Sequence, residues 1–586
     1  MKNHKNMAIL SLCFTCLHMV FNHYYYGNHF FMRSLDFYFM NGLEDAVNFR
    51  KDINFFSTEF SPYLLFHRSI LFGKNLFGFS LHNLMWFIYF FANWGSMNAY
   101  LYFSDAMFGD NKVSLLFLGL LALNFAPWTV GSSFGLSTAV IAPNMIAIIF
   151  QVLAIASFLR TDRIILTAIF LSIAFYFHSI STLFLFFAIF FFILWKRETF
   201  KAKELYLSLL TLSLLLLPQI IWMADYLLHN FKSVQLDAWQ LDAHRHSLAG
   251  HISLSLIWAN AKVYHLLFYF IGLVGFILIL FKYGNKLSSP DKIEKVKFIT
   301  ATMLCSAVFF SLTSDLYLKF MTLQALKSTL WFVQLFIGIF IIKVISDVLF
   351  SAEHYKSKLF FIFYLYSITI LCATFKLMED YNVYLKVSIF FILFATYFFR
   401  ENLSFLLKQF SASKKILQTK GSLVLSFLLI VVSLLLYQKW IFFEKSQELY
   451  STDTGYDLHN KNWDDVMASA NKLPTNAYIL YPFYISSSYY ARAKRPGFFN
   501  YGYIAALYTG TSEIKQVTIF LADLFNIKDS FNRDSLANAW STLTKKQILK
   551  IKNRFKLTHL IYENSKEFDF PVIYKNKEYT LYLISN

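Results

Sequence analysis

The feature that most constrains this chain is a succession of apolar runs, each roughly 15–22 residues long, filling its first three quarters. A helix rises about 1.5 Å per residue, so about 20 apolar residues cross the hydrocarbon core of a bilayer. A soluble domain could not bury so many runs of that length, and the composition agrees. Of the 586 residues 57% are hydrophobic and 15% charged, and mean hydropathy is +0.47; both lie far from soluble averages. The expected fold class is an α-helical polytopic membrane protein. The 70 Phe, alongside abundant Ile, Lys and Asn, suggest an AT-rich genome, so aromatic content alone says little about function.

Spans read at 7–24, 77–103, 113–130, 137–158, 164–178, 180–195, 205–223, 264–281, 298–312, 329–349, 358–375, 381–399 and 422–440, about thirteen in all. Only His178 and Ser179 separate the fifth from the sixth. One alternate set of loops, including "LRTDR", "WKRETFKAKE" and "FKYGNKLSSPDKIEKVK", is rich in Lys and Arg. The other set, including "APWTVGSSFGLS", the His178 turn, 224–262 and 313–328, carries few basic residues. The positive-inside rule then puts the N-terminus in the cytoplasm, and the first loop (25–76) and the tail (441–586) outside. The start, "MKNHKNMAILSLCFTCLHMVF", has a basic n-region and an apolar core without a small-x-small cleavage site, and reads as a retained signal anchor.

The expected domains are a multipass region, 1–440, and an extracytoplasmic α/β domain, 441–586. The tail pattern predicts helices at 462–471, 534–541 and 544–555, and strands at "AYILYPF", "THLIYE", "PVIYK" and "YTLYLIS". With about 145 residues it can bury its own core. The formal charge of +18 sits mostly in short loops beside spans, with no basic soluble module, so nucleic acid is excluded as a partner class. Cys13, Cys16, Cys305 and Cys372 all fall in apolar segments and read as packing.

Four polar clusters fall on the expected outer side. In "MNGLEDAVNFRKD" (40–52), a helix over 41–54 would put Asn41, Asp45, Asn48 and Asp52 on one face, with Leu43, Val47 and Ile53 on an apolar flank. A carboxylate at the interface (Glu44, Asp45 or Asp52) suits a general base toward a hydroxyl. The plainer alternative is a solvated helix whose Glu44 and Asp45 complement its N-terminus, and Arg50 and Lys51 its C-terminus. In "LDAHRHSLAGH", Asp242, His244, Arg245, His246 and His251 suit an anionic head group through the Arg fork, or are surface residues of a loop. H-x-H plus a third His hints at zinc, but the spacing matches no strong metal signature. No metal site is assigned, no cofactor is required, and a divalent cation is the one possible cofactor. In "LKFMTLQALKSTLWF", Gln324 and Lys327 stand at the mouth of a span, where Lys327 either holds a phosphate or snorkels. His178 in "AFYFHSISTLF" is either a hydrogen-bonded buried histidine or a functional one, its depth in the membrane favouring function. No Walker loop, G-x-S-x-G, H-E-x-x-H or dinucleotide fingerprint occurs in its required context.

With a short cytoplasmic N-terminus, an acidic first outer loop, about a dozen spans and an exported tail, the chain resembles the C-type glycosyltransferase superfamily. Its span count with a trailing outer domain is similar to that of bacterial oligosaccharyltransferases, whose D-x-D-like and Trp-rich motifs it lacks. It looks most like bacterial multipass members with an exported C-terminal domain. The segments that carry this are "YYYGNHFF", "DINFFSTEFSPYLLFH", "AFYFHSIST" (Ser179 where a proline is usual), "AHRHS", "LQALKSTLW" (Lys327 where an arginine is usual), "WDDVMASANKLPTNAYILYPF" and "YYARAKRPGFFNYG".

The resemblance implies an inverting enzyme of the bacterial cytoplasmic membrane. It would move a sugar from a polyprenyl-phosphate-linked donor to an exported acceptor: glycan, lipid or protein. Asp45 or Asp52, with Glu44 behind, would deprotonate the acceptor. His178, His244, Arg245, His246, Gln324 and Lys327 would bind the donor and its departing phosphate, and Tyr489, Arg492 and Arg495 would position the acceptor. The implied partners are that donor, membrane lipid and the exported acceptor. Rival readings are a surface-polysaccharide polymerase or ligase, a transporter of lipid-linked intermediates, which would favour deep ionisable residues and a repeated half, and a non-catalytic scaffold.

Overall fold

The structure is a computed structural model that describes residues 9, 11–19, 64–79, 81–122, 143–160, 163–230, 237–247, 263–316, 325–350, 358–374, 383–398, 461–482, 489, 493–499 and 512–584. The expected span 422–440 and the expected helix 41–54 lie outside the described residues. Each other expected span overlaps a described helix. In chain order these are α1 (11–19), α2 (Leu64–Phe77), α3 (Leu81–Phe108), α4 (Asn111–Ala122), α5 (Pro143–Leu159), α6 (Ile164–Phe177), α7 (Ser179–Trp195) and α8 (Ala202–Asn230). There follow α9 (Ala238–Ser247), α10 (Val263–Lys282), α11 (Pro290–Leu316), α12 (Ala325–Phe350), α13 (Lys358–Thr374) and α14 (Val383–Phe398). The tail adds α15 (Lys461–Asn471), β1 (Ile479–Leu480), α16 (Ser512–Phe525), α17 (Arg533–Ser541), α18 (Lys545–Phe555), β2 (His559–Glu563), β3 (Val572–Lys575) and β4 (Tyr579–Leu583). Neither α2, within the expected first loop, nor α9, within the expected loop 224–262, nor α16 was predicted as a helix.

The chain divides into two compact units. One comprises Met1–Phe31, Trp86–Gln219 and Gly250–Leu436; the other comprises Met32–Met85, Ile220–Ala249 and Tyr437–Asn586.

In the first unit, described helices long and apolar enough to cross a membrane are Ala202–Ile221, Pro290–Thr313 and Ser328–Leu349, beside shorter apolar ones such as Pro143–Leu159. Their surroundings differ. The apolar window of Ser328–Leu349 is 89% buried, that of Ala202–Ile221 only 17%. A helix apolar all round and buried all round is the centre of a bundle. One that is equally apolar yet bare, with Leu209, Leu214 and Leu217 more than half exposed, needs a hydrocarbon solvent. The protein is therefore a membrane protein, with α12 at the heart of the bundle and α8 turned to lipid. Close helix approach is visible at Gly275 on α10, where a Cβ would overlap the Tyr366 ring of α13, and where Tyr366 donates to the Gly272 carbonyl. Small residues at helix interfaces serve this purpose in membranes.

Ring and charge contacts fix helix directions. Phe184 meets Phe310 at 5.5 Å, Phe192 meets Phe298 at 5.4 Å, and Lys196 pairs with Glu294 at 2.8 Å. Numbers rise along α7 as they fall along α11, so the two are antiparallel. At one end the charged groups gather: Arg160 with Asp105 at 2.5 Å, and Lys343 with Asp347 at 2.6 Å and Asp110 at 3.7 Å. There too Ser288 donates to the Met107 carbonyl. Each of these contacts joins segments that the Lys/Arg alternation assigns to the cytoplasmic side, so the pairing and the charge pattern agree.

The second unit holds a four-stranded sheet of order β1-β2-β4-β3. β1 runs parallel to β2, and the other pairs are antiparallel. Alternation along β2 and β4 divides the core in two, as a period of two requires. Leu560, Tyr562 and Tyr582 pack with α16, α17 and α18 residues including Leu521, Trp540 and Ile551. Ile561, Tyr579 and Leu581 pack with Trp463, Val466 and Met467 of α15. Both faces are covered, which is why these strands read as apolar throughout. α9 joins the first face: Ala243 is part of that core, and the Trp239 ring meets Phe531 at 5.4 Å. α9 and the tail therefore share one core within the second unit.

Candidate functional site

The break between α6 and α7 contains no Gly or Pro, and the side chains explain it. His178 leaves the helix with φ −154° and ψ 84°, and its ring caps α7. The Ser181 N–H donates to Nδ1 at 3.4 Å, and the Ser181 hydroxyl lies 2.7 Å from the same nitrogen. The His178 carbonyl accepts from the Thr182 hydroxyl at 2.8 Å. Gln151 on α5, fully buried, donates from Nε2 to Ser181 Oγ at 2.8 Å and Thr182 Oγ1 at 2.9 Å. Nδ1 must therefore be bare to accept, so Nε2 carries the ring proton. The cap accounts for the Nδ1 side of His178.

Substitution separates the two roles. His178→Ala should cost about 1 kcal/mol through loss of the cap. His178→Asn, whose side-chain oxygen can cap, should restore most of that stability while still lacking the Nε2 donor. Thermal unfolding in detergent reads the first effect and donor binding the second; a function of capping alone would leave binding intact in His178→Asn.

Lys327 is the third residue of α12. α11 and α12 are linked through the eight residues 317–324 and pack against each other, and α11 runs antiparallel to α7. Hence α7 and α12, which also touch, run parallel and begin at the same end of the first unit. That end is opposite the one where Arg160, Lys196 and Lys343 find their acids. His178 and Lys327 thus mark two helix N-termini at one end of the bundle. The first N–H groups of a helix have no partner within the helix itself, and at α7 the His178 ring takes that of Ser181.

The second unit carries the other predicted cluster. Asp242 on α9 is exposed, while Gln240 and Ala243 are buried. His244, Arg245 and His246 belong to the same helix, α9. Among the described residues no group of three or more His, Cys, Asp or Glu could hold a metal ion.

Two residues expected to meet the acceptor make contacts within the tail itself. Arg495 donates to the carbonyls of Asn471 at 2.6 Å and Leu473 at 2.6 Å and 3.0 Å, closing the C-terminus of α15, the end that favours a cation. Tyr489 is fully buried and stacks on Tyr481 at 4.0 Å. Arg492, Glu44, Asp45, Asp52 and Gln324 lie outside the described residues. Gln151 is the site residue that the sequence reading missed; the signal was one amide inside the apolar run "AIIFQVLAI".

No protein-family model and no curated protein matches the chain. Among solved structures it is similar to the archaeal oligosaccharyltransferase AglB from Archaeoglobus fulgidus, solved in complex with an inhibitory peptide and a dolichol-phosphate. The match covers 96% of this chain and 69% of that one, at 10% identity and a TM-score of 0.45. The likeness lies in the course of the chain and assigns no residue a role.

Proposed function

We propose that the chain is a membrane glycosyltransferase that takes a sugar from a polyprenyl-phosphate donor and passes it to an exported acceptor. The observation that carries this reading is the pairing of His178 and Lys327 at the starts of two parallel, packed helices. A lysine in the first turn of a helix opposes the macrodipole and costs about 0.3–1 kcal/mol. A bound phosphate reverses that sign: it pairs with the ammonium and sits at the positive end of the helix dipole. A lipid phosphate also fits the setting, because its chain belongs in the surrounding hydrocarbon.

The chemistry follows from that anchor. The acceptor hydroxyl loses its proton to a first-loop carboxylate, Asp45 or Asp52, and its oxygen attacks the anomeric carbon opposite the phosphate. The bond from that carbon to the phosphate oxygen breaks, its electron pair stays on the phosphate, and the anomeric centre inverts. Lys327 and the Nε2–H of His178 stabilise the charge that develops there, an interaction strongest in a partly dry site. Phosphate is a good leaving group, so no general acid is required. Arg245 of α9 is a further anion-pairing candidate.

A photo-reactive polyprenyl phosphate tests the anchor. It should label the wild-type protein in competition with unlabelled polyprenyl phosphate. Lys327→Met should weaken that competition roughly 10-fold or more, the scale of one charge-assisted hydrogen bond, and Lys327→Arg should keep it. Equal labelling of wild type and Lys327→Met would remove Lys327 from the site.

A further inference from the structure

A shallow groove of about 130 Å³ runs along the first unit between α6, α7 and α8, walled by Leu171, Phe186, Phe190, Leu194, Leu209 and Leu212. It offers no polar partner along its length. Thr167 and Ser208 line it, but their hydroxyls donate to backbone carbonyls of their own helices, at Arg163 (3.2 Å) and Glu204 (2.6 Å). The occupant must therefore be hydrocarbon for most of its length.

The two ends of the groove differ. Ile164, Leu205 and Arg197 stand at the end where the ion pairs gather; Leu171, Phe186 and Leu212 stand at the other. Lys196 beside it pairs with Glu294 at 2.8 Å, and Lys201 with Glu204 at 3.5 Å. Arg197 is exposed and has no ion pair among the described residues. Its aliphatic stem lines the groove, and its guanidinium is the cation left over at the mouth. From Ile164 to Leu171 is about 10 Å of helix, and from Phe186 to the end of α7 about 14 Å. One leaflet of hydrocarbon measures about 15 Å. The groove is thus one leaflet deep, too short for a polyprenyl chain and matched to an acyl chain.

We infer that this groove seats one acyl chain of a cytoplasmic-leaflet phospholipid whose anionic head group pairs with Arg197. The site is separate from the one marked by His178 and Lys327, at the opposite end of the unit, and rests only on the membrane reading. A guanidinium fork selects a phosphodiester carrying net negative charge over a zwitterion, so phosphatidylglycerol should be held in preference to phosphatidylcholine.

The full-length protein in mixed phosphatidylcholine–phosphatidylglycerol nanodiscs, released into mild detergent and weighed by native mass spectrometry, reports which lipid stays bound. Wild type should retain phosphatidylglycerol over phosphatidylcholine. Arg197→Gln should lower that preference about fivefold, the worth of one basic residue at an anionic leaflet. Leu209→Trp, which fills the groove, should lower retention of both lipids. Lys203→Gln removes the same charge from an exposed position outside the groove and should leave the preference unchanged. Inorganic phosphate should not displace the lipid. Equal retention of the two lipids by wild type, or equal losses in Lys203→Gln and Arg197→Gln, would overturn the inference in favour of a diffuse basic face.

Discussion

Replacing one first-loop carboxylate by its amide, Asp45→Asn or Asp52→Asn, is expected to reduce sugar transfer by roughly 10²–10⁴-fold, while the other replacement changes it only a few-fold. The amide keeps the size of the side chain but cannot accept the acceptor's proton, so the loss belongs to kcat more than to donor binding. Labelling by a photo-reactive polyprenyl phosphate should therefore persist in the inactive variant, in contrast to Lys327→Met. Glu44→Gln is expected to have a smaller effect, since Glu44 does not share the face of Asp45 and Asp52 on a helical 41–54. Transfer at wild-type levels in both Asp variants would return this stretch to a solvated helix with charges matched to its dipole.

A comparably large effect, on stability, is expected at the other end of the bundle. Lys343 lies on the buried central helix α12 with its side chain 13% exposed, and Asp347 one turn later is 7% exposed. Lys343→Met leaves that carboxylate without the ammonium 2.6 Å away, and removing one member of a buried pair typically costs about 3–5 kcal/mol. Unfolding of the detergent-solubilised protein should show a loss on that scale. Lys343→Met combined with Asp347→Leu should recover most of it, because two apolar side chains of similar volume replace the pair. Asp110, the third member at 3.7 Å and 33% exposed, can stay hydrated. A loss below about 1 kcal/mol in the single variant would mean that the pair behaves as a surface pair.

Most of the bundle was legible because its signal is local. Length and hydropathy locate α3 to α8 and α10 to α14, and the polar group His178–Ser179 was enough to mark a helix break where neither Gly nor Pro stands. Lys and Arg in alternate loops anticipated which segments come together around Asp105, Arg160 and Lys343. What stayed hidden depends on tertiary partners. The stretch 238–247 is polar on average, and its Trp239, Gln240 and Ala243 become a buried face only against the tail. Arg495 was expected to position an acceptor, and its carbonyl partners were not foreseen, since Asn471 and Leu473 lie 24 and 22 residues away and no local pattern ties them together. α16 is a different kind of omission: Ile514, Val517 and Leu521 repeat at helical spacing, so the helix was readable. At His178 the reading as a hydrogen-bonded buried histidine is visible in the contacts of its ring with Ser181.

The central claim is that the anion site at the starts of α7 and α12 serves sugar transfer from a lipid monophosphate. Its most direct test is radiolabel transfer by the purified protein in liposomes, supplied in parallel with a polyprenyl-monophosphate hexose, a polyprenyl-monophosphate pentose and a polyprenyl-diphosphate oligosaccharide, each with membrane extract as the source of acceptor. The account predicts label moving from a monophosphate donor to acceptor, with polyprenyl phosphate released in equal amount and the product inverted at the anomeric carbon. Consumption of the diphosphate oligosaccharide alone, with products lengthened in blocks, would contradict it and identify a polymerase or ligase.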